Sequence, residues 1–142
     1  MSRTLGVDVG SVRVGLALSD PTGFLATPLK TLARHPDAKL WEQLTAAVSE
    51  WEVECVVIGL PKRLDGSEGD AAEAAREFGA VLAARISLPI EWWDERFTTK
   101  EAERQLIALG KRRDKRREMI DSVAASILLQ SWLDSRRRGV PQ

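Results

Sequence analysis

Three acidic residues, remote from one another along the chain, stand where an apolar or neutral side chain would be expected. Asp8 lies inside an apolar, strand-like run, Glu95 closes another such run, and Asp121 lies in a long segment with an apolar face. Buried carboxylates repel one another and lose hydration, so a cluster of them is costly unless a cation neutralises it. The three residues therefore predict a shared metal site that carries chemistry.

The other side chains indicate which metal such a site would bind. The only histidine, His35, precedes Pro36 in a loop, and the only cysteine, Cys55, lies in an apolar run. A zinc site built from imidazoles or thiolates is therefore excluded. Oxygen ligands favour Mg²⁺ or Mn²⁺. Three carboxylates could hold two such ions about 3.5–4 Å apart, an arrangement that predicts hydrolysis of phosphodiester bonds.

The surroundings of Asp8 suit a ligand. Strand alternation places Asp8 on the same face as Gly6 and Gly10, and the missing side chains leave room for a metal or a phosphate. The alternative is an aspartate that ends a strand before a hairpin turn. Taken alone, Asp8 does not decide between these two interpretations.

The other two acids also leave alternatives open. Asp121 shares a helical stripe with apolar residues and would face the core, but it could instead be an N-cap with the helix beginning at Ser122. Glu95 follows a strand, and alternation places its neighbour Asp94 on the opposite face, so only one of the two should join the cluster. The alternative is a surface acidic pair.

The elements that must position these residues follow from the apolar periodicity. Alternating runs at 3–9, 12–19 and 24–32 predict an antiparallel meander. Further strands are predicted at 53–60 and 89–95, and helices at 37–51, 67–86, 98–110 and from about 119 onward. The order of these elements predicts an α/β fold, with a mixed five-stranded sheet of three antiparallel and two parallel strands flanked by helices on both faces.

Length and composition exclude several classes of protein. The 142 residues suffice for a single domain, residues 1–142, and 44% of them are hydrophobic. No apolar run approaches the roughly 20 residues that a membrane span requires. The N-terminus enters a strand directly, without a signal-peptide pattern, which predicts a cytoplasmic protein with no membrane partner.

The charges are distributed unevenly although the net charge is zero. Residues 35–95 hold 5 Lys and Arg against 13 Asp and Glu, whereas residues 96–138 hold 12 against 6. A basic surface beside an acidic site is typical of enzymes that cut phosphodiester chains. We predict a solvated tail for the triple arginine at 136–138, and phosphate binding by the run ahead of Asp121, namely Arg112, Arg113, Arg116 and Arg117.

Several short motifs occur in a fixed order over nearly the whole chain: GVDVG at 6–10, RVG at 13–15, GLP at 59–61, DGSEG at 65–69, DERFTT at 94–99 and IDS at 120–122. In this order they resemble the YqgF/RuvX family. The resemblance implies a ribonuclease-H-like fold and a metal-dependent nuclease, described both as an enzyme maturing the 5′ end of 16S ribosomal RNA and as a Holliday junction resolvase. It also implies that Asp8, Glu95 and Asp121 are the acidic site residues.

The resemblance extends to positions that would contact substrate. It implies phosphate contacts for Arg13 and Arg96. Lys62 and Arg63 lie in the 61–69 loop at positions where the family often has less charge, and we predict that they reach the substrate. Gly66 and Gly69 predict that this loop is a mobile flap over nucleic acid. The implied partner is nucleic acid, either precursor rRNA or branched DNA. Symmetric cleavage of a four-way junction needs two active sites, so a homodimer would favour the second substrate.

Two other classes of function remain possible from the sequence. Asp8, Val9 and Gly10 followed by Gly15 also look like the first phosphate loop of the actin and sugar-kinase class. Those proteins enclose ATP between two lobes, however, and this chain has the length of about one. The second alternative is a nucleic-acid-binding module without catalysis, in which the acids are structural.

Overall fold

Five strands and three helices make up residues 3–97 and 113–137, which are the residues that the computed structural model describes. The strands are β1 (Arg3–Val9), β2 (Arg13–Ser19), β3 (Ala26–Ala33), β4 (Val53–Leu60) and β5 (Ile90–Asp94). The helices are α1 (Asp37–Glu50), α2 (Asp70–Arg85) and α3 (Arg113–Arg137). A single 3₁₀ turn, Glu95–Phe97, follows β5.

The strands form one mixed sheet in the order β3-β2-β1-β4-β5. Strands β1, β2 and β3 pair antiparallel, whereas β4 pairs parallel with both β1 and β5. Asp8 stands opposite Gly15 of β2, and Val7 stands beside Ile58 of β4. Because β1, β4 and β5 run in the same direction, their carboxyl ends meet at one edge, which we call the carboxyl edge.

Strand alternation divides the core between the two faces of the sheet. Leu5 and Val7 pack on the side of α1 and α2, in a cluster that includes Leu40 and Phe78. The opposite face packs against α3, where the buried residues are Ala17, Val57, Trp93, Ala125, Leu128, Leu129, Trp132 and Leu133. Each large aliphatic side chain buried in this way contributes roughly 1.5–3 kcal/mol. Asp8, one residue beyond Val7, therefore belongs to the α3 face.

Two glycines allow α3 to lie directly on this face. A Cβ on Gly6 would come within 2.8 Å of the Leu129 Cβ, and a Cβ on Gly15 would overlap the backbone carbonyl oxygen of Asp121. At either position a residue with a side chain would collide with α3. The absence of side chains at these positions thus brings the backbone of Asp121 onto β2, beside Asp8.

Two predicted helix boundaries are wrong. Helix α3 begins at Arg113, so Asp121 lies two turns inside it and is not an N-cap. The charged residues ahead of Asp121 are good helix formers and carry the helix upstream. Helix α2 begins at Asp70 rather than at Ser67, because Ser67 belongs to a turn capped by Asp65. The helix predicted at 98–110 falls outside the described residues.

In the part of the chain that the structure describes, none of the helices has the length and apolar character needed to cross a bilayer.

Candidate active site

Asp8 and Glu95 meet at the carboxyl edge of the sheet. Glu95 opens the turn after β5, and its Oε1 lies 3.2 Å from the point where a Cβ on Gly59 would stand. Gly59 follows Ile58, which pairs with Val7, the neighbour of Asp8. Because Gly59 has no side chain, Glu95 can extend over the backbone of β4 toward Asp8. The two carboxyl side chains are joined by a hydrogen bond. Residues 87 positions apart in the chain thus form one acidic pair.

The environment of this pair favours protonation. Burial raises the pKa of Asp8 to about 6, and the charge of Asp121 raises it further, whereas the hydrogen bond from Glu95 lowers it. Burial also raises the pKa of Glu95 to about 7, and the charge of Asp8 acts in the same direction. The two carboxyl groups therefore titrate as one coupled pair. The pair retains a shared proton close to neutral pH unless a cation takes its place.

Asp121 approaches the pair from α3 and has a cationic partner of its own. The Arg13 Nε donates a hydrogen bond to the Asp121 Oδ2 over 2.7 Å. The Arg13 side chain is half exposed, whereas the Asp121 side chain is 25% exposed. Asp121 is close enough to raise the pKa of Asp8 but is neutralised by Arg13 in this arrangement.

The side chains of Asp8, Glu95 and Asp121 fit a hard divalent cation, because all of their ligand atoms are carboxylate oxygens. Asp8 and Glu95 are also largely buried, which favours replacement of their shared proton by a cation. Within residues 3–97 and 113–137, however, no group of three or more His, Cys, Asp or Glu side chains is arranged to hold a metal ion. The third donor, Asp121, is engaged by Arg13. The shared metal site of Asp8, Glu95 and Asp121 therefore stays a prediction.

Asp94 has a different role from its neighbour Glu95. Its carboxylate accepts hydrogen bonds from the Arg96 Nη2 at 2.7 Å and from the Arg96 Nε and backbone N–H at about 3 Å. These bonds lower the pKa of Asp94. The Arg96 Nη1 also donates to the Leu64 carbonyl oxygen at 3.4 Å. Arg96 thus links the end of β5 to the 61–69 loop, and Glu95 alone faces Asp8.

The 61–69 loop is folded back on itself as a hydrogen-bonded turn. Lys62 and Glu68 form a β-bridge, and the Arg63 N–H donates to the Ser67 carbonyl oxygen at 2.9 Å. Gly66 occupies the left-handed region with φ +90°, which a residue with a side chain would adopt only under strain. Lys62 lies close enough to Asp94 to lower its pKa. Lys62 therefore lies at the carboxyl edge, whereas Arg63 lines a cleft with Asp70 at the start of α2.

The basic run ahead of Asp121 lies only partly within the described structure. Arg113, Arg116 and Arg117 fall in the first turns of α3, but their side chains are outside the description, as is the whole of Arg112. Phosphate binding by these four residues stays a prediction.

Sequence reasoning missed several residues that shape this site. Gly15 and Gly59 set how closely α3 and Glu95 approach the sheet, and Phe97 exposes an aromatic ring two residues beyond Glu95. The only available signals were the positions of these residues inside the RVG, GLP and DERFTT motifs. Neither a glycine nor a lone aromatic residue reveals its neighbours from sequence alone.

The raised pKa values predict that the metal-free protein is more stable in mild acid than at neutral pH. In the folded state Asp8 and Glu95 hold protons up to about pH 6 and 7, whereas their ordinary pKa values are 3.8 and 4.5. The folded state therefore binds more protons across this window, and the free energy of unfolding falls as the pH rises through it. We expect a loss on the order of 3 kcal/mol between about pH 5 and pH 7.5.

Urea unfolding in the presence of a chelator measures this difference. The Asp8→Asn variant is the control, because it removes the repulsion and should flatten the pH dependence. Equal stability of the wild-type protein at the two pH values would contradict the proton-sharing pair.

Comparison with known proteins reveals close relatives. The RuvX family model, described as Holliday junction resolvase, matches residues 2–135. A protein of Geobacillus thermodenitrificans named "Putative pre-16S rRNA nuclease" is 44% identical over 137 residues, which cover 95% of this chain and 99% of that protein. A protein of Listeria monocytogenes with the same name is 45% identical over 135 residues, covering 94% and 98%.

Solved structures share the fold at low sequence identity. RuvC of T. thermophilus, in complex with a Holliday junction substrate, superposes with a TM-score of 0.64 at 12% identity, covering 96% of both chains. The yeast mitochondrial Holliday junction resolvase gives 0.53 at 12% identity, covering 96% of this chain and 80% of that one. The expected ribonuclease-H-like fold is therefore confirmed. Since the family model spans nearly all of the sequence and the relatives are so similar, the chain belongs to the RuvX family.

Proposed function

We propose that this protein is a metal-dependent nuclease that hydrolyses phosphodiester bonds in structured nucleic acid, with precursor 16S rRNA as its substrate. The observation that carries the proposal is the desolvated Asp8–Glu95 pair, which shares a proton at the carboxyl edge with Asp121 beside it. An isolated acidic pair of this kind is costly to the fold, and its cost is offset when a cation binds. The names of the relatives support rRNA as the substrate.

Asp8, Glu95 and Asp121 would hold Mg²⁺ or Mn²⁺, as one ion or two. When bound, such ions activate water and stabilise the charge on the leaving oxygen. Asp8 and Glu95 give up their shared proton to become ligands, so the affinity for metal falls in acid. Arg13 keeps Asp121 in place until then and, being half exposed, can turn to a substrate phosphate once Asp121 is engaged elsewhere.

Cations around the acidic pair would hold the nucleic-acid backbone. Lys62, Arg63 and Arg96 lie in or against the 61–69 turn at the carboxyl edge. The basic run at Arg112, Arg113, Arg116 and Arg117 extends the same role along α3. Contacts of this kind fix the position of a backbone without reading its sequence. A protein that processes ribosomal RNA would act in the cytoplasm.

A second candidate function is resolution of Holliday junctions. The description of the matching family model favours it, and so does the fold shared with a resolvase that was solved on its junction substrate. Two cuts placed symmetrically on a four-way junction need two active sites, so this function requires a homodimer. The oligomeric state in solution is therefore informative.

A cleavage assay tests the proposal. The purified protein is incubated with Mn²⁺, Mg²⁺ or a chelator and with four substrates: a 5′-extended 16S rRNA leader, a four-way DNA junction, linear duplex and single strands. We expect cleavage of the leader RNA at a discrete position only when metal is present. Symmetric cleavage of the junction by a dimer, with the RNA left intact, would favour the second candidate. Cleavage that persists in chelator, or no cleavage of any substrate, would contradict the nuclease proposal.

A further inference from the structure

A cleft of about 300 Å³ opens along the edge of the sheet that β5 forms, and its lining includes the residues that flank Glu95 in the chain. Its lining combines cations and aromatic rings, supplied by Lys62, Arg76, Trp92, Trp93, Arg96 and Phe97. Its volume is at the lower end of the roughly 300–1,000 Å³ found for ligand sites. The cleft therefore suits one planar ring system and is too small for a stacked duplex.

Phe97 offers an aromatic surface at the mouth of this cleft. Its side chain is 56% exposed although it is apolar. The ring is held edge-on against Trp93, with centroids 5.8 Å apart and planes at 74°, and the Arg96 guanidinium lies 5.8 Å from its centroid. An exposed ring that is anchored by its neighbours is suited to stacking against a nucleobase.

Trp93 supports Phe97 from within the core. Its side chain is buried, with 6% exposure, and its ring lies edge-on against the Phe97 ring. Its Nε1 is buried as well and has no acceptor among residues 3–97 and 113–137. Trp93 therefore fixes the position of the Phe97 ring and is not itself accessible to a ligand.

The charges of the lining suit a nucleotide as well. Arg96 is paired with Asp94, and Arg76 is paired with Glu68, which lies just outside the lining, so Lys62 is the cation of the cleft without an ion pair among the described residues. Arg76 and Arg96 already stack on aromatic rings, Arg76 at 5.1 Å from the centroid of Trp92. A base would thus find an aromatic ring, and a phosphate a cation, within one cleft.

We propose that this cleft is a base-binding subsite, which takes a single unstacked nucleobase from the nucleotide next to the scissile phosphate. Phe97 stacks on the face of the base, and Trp93 holds the Phe97 ring in place from the core. The inference depends on the proposed nuclease function, because only Glu95, two residues from Phe97, places this base beside the cut. The subsite requires an unpaired nucleotide at the cleavage position, as loops, single strands and junction centres provide.

Removing the ring and removing the base test the subsite together. Phe97→Leu is compared with Phe24→Leu, a control of similar exposure (55%) at the opposite edge of the sheet. Binding of short fluorescent RNA strands, in which an abasic residue is moved along the sequence, is followed by anisotropy, with Asp8→Asn in every protein to prevent cleavage. We expect Phe97→Leu to weaken binding of the intact strand about 10-fold. In the protein that keeps Phe97, an abasic residue at one position of the strand should also weaken binding about 10-fold.

The two losses should not multiply when they are combined, since each removes the same stacking contact. Losses that multiply, or an abasic series with no sensitive position, would overturn the subsite. If the two losses are coupled but the wild-type protein cleaves no substrate, the subsite is supported and the nuclease proposal is wrong. If the wild-type protein cleaves RNA but the losses are not coupled, the nuclease proposal is supported and the subsite is wrong.

Discussion

Asp8→Asn abolishes metal-dependent cleavage: we expect kcat/KM to fall at least about 100-fold, since a ligand to a catalytic cation supplies several kcal/mol of transition-state stabilisation. The amide keeps the shape of the side chain but loses the charge that a divalent ion requires. Binding of nucleic acid should change little, because the phosphates are held by cations elsewhere. Initial rates in Mn²⁺ and anisotropy titrations on the same substrate measure both quantities.

A matched control is available at the other side of the sheet. Asp37 is the first residue of α1, its side chain is 74% exposed, and its partner is His35 rather than the acidic pair. Asp37→Asn makes the same chemical change far from the site and should leave the cleavage rate unaltered. Full activity of Asp8→Asn would remove Asp8 from the proposed metal ligands.

Gly15→Ala should cause the largest loss of stability among the glycine substitutions in the described sheet. Its Cβ would overlap the carbonyl oxygen of Asp121, and the helix backbone cannot yield without moving α3. We expect the free energy of unfolding to fall by at least about 3 kcal/mol, the upper part of the range for overpacked cores. Cleavage should be lost as well, because α3 carries Asp121. Urea unfolding and the cleavage assay measure the two effects.

Gly59→Ala is the matched comparison. A Cβ at this position meets the Leu128 Cδ2 at 3.0 Å and the Glu95 Oε1 at 3.2 Å, both of which are ends of side chains that can shift. The stability loss should stay below about 1.5 kcal/mol, while activity falls because Glu95 is displaced from Asp8. If Gly15→Ala were as mild as Gly59→Ala, the close packing of α3 on β2 would be incorrect.

Much of the fold could be predicted because its signals are local. The alternation of Leu5 and Val7 with Asp8 indicated correctly which face of β1 the carboxylate occupies. The run at 53–60, which is apolar from Cys55 onward and lacks alternation, corresponds to a strand that is covered on both faces. In the same way, alternation separated Asp94 from Glu95, and the structure pairs Asp94 with Arg96 instead of Asp8.

The remaining features depend on contacts between distant parts of the chain. Arg13 and Asp121 are 108 residues apart, so no local pattern could reveal that they form an ion pair. The apolar pattern predicts a start for α3 at about 119, whereas the helix begins at Arg113, because the charged residues between these points carry no apolar pattern but have good helix propensity. The cleft at β5 combines residues from 60 to 97, and its depth follows from packing rather than from spacing.

The position of α3 over bare backbone has a consequence for when the protein can act. Helix α3 supplies Asp121 and covers Ala17 and Val57, yet it follows every strand of the described sheet in chain order. While the ribosome is still making this helix, Asp8 and Glu95 lack their third acid, and one side of the sheet stays open to solvent. With the three-acid site proposed above, cleavage would begin only after α3 has docked on the sheet.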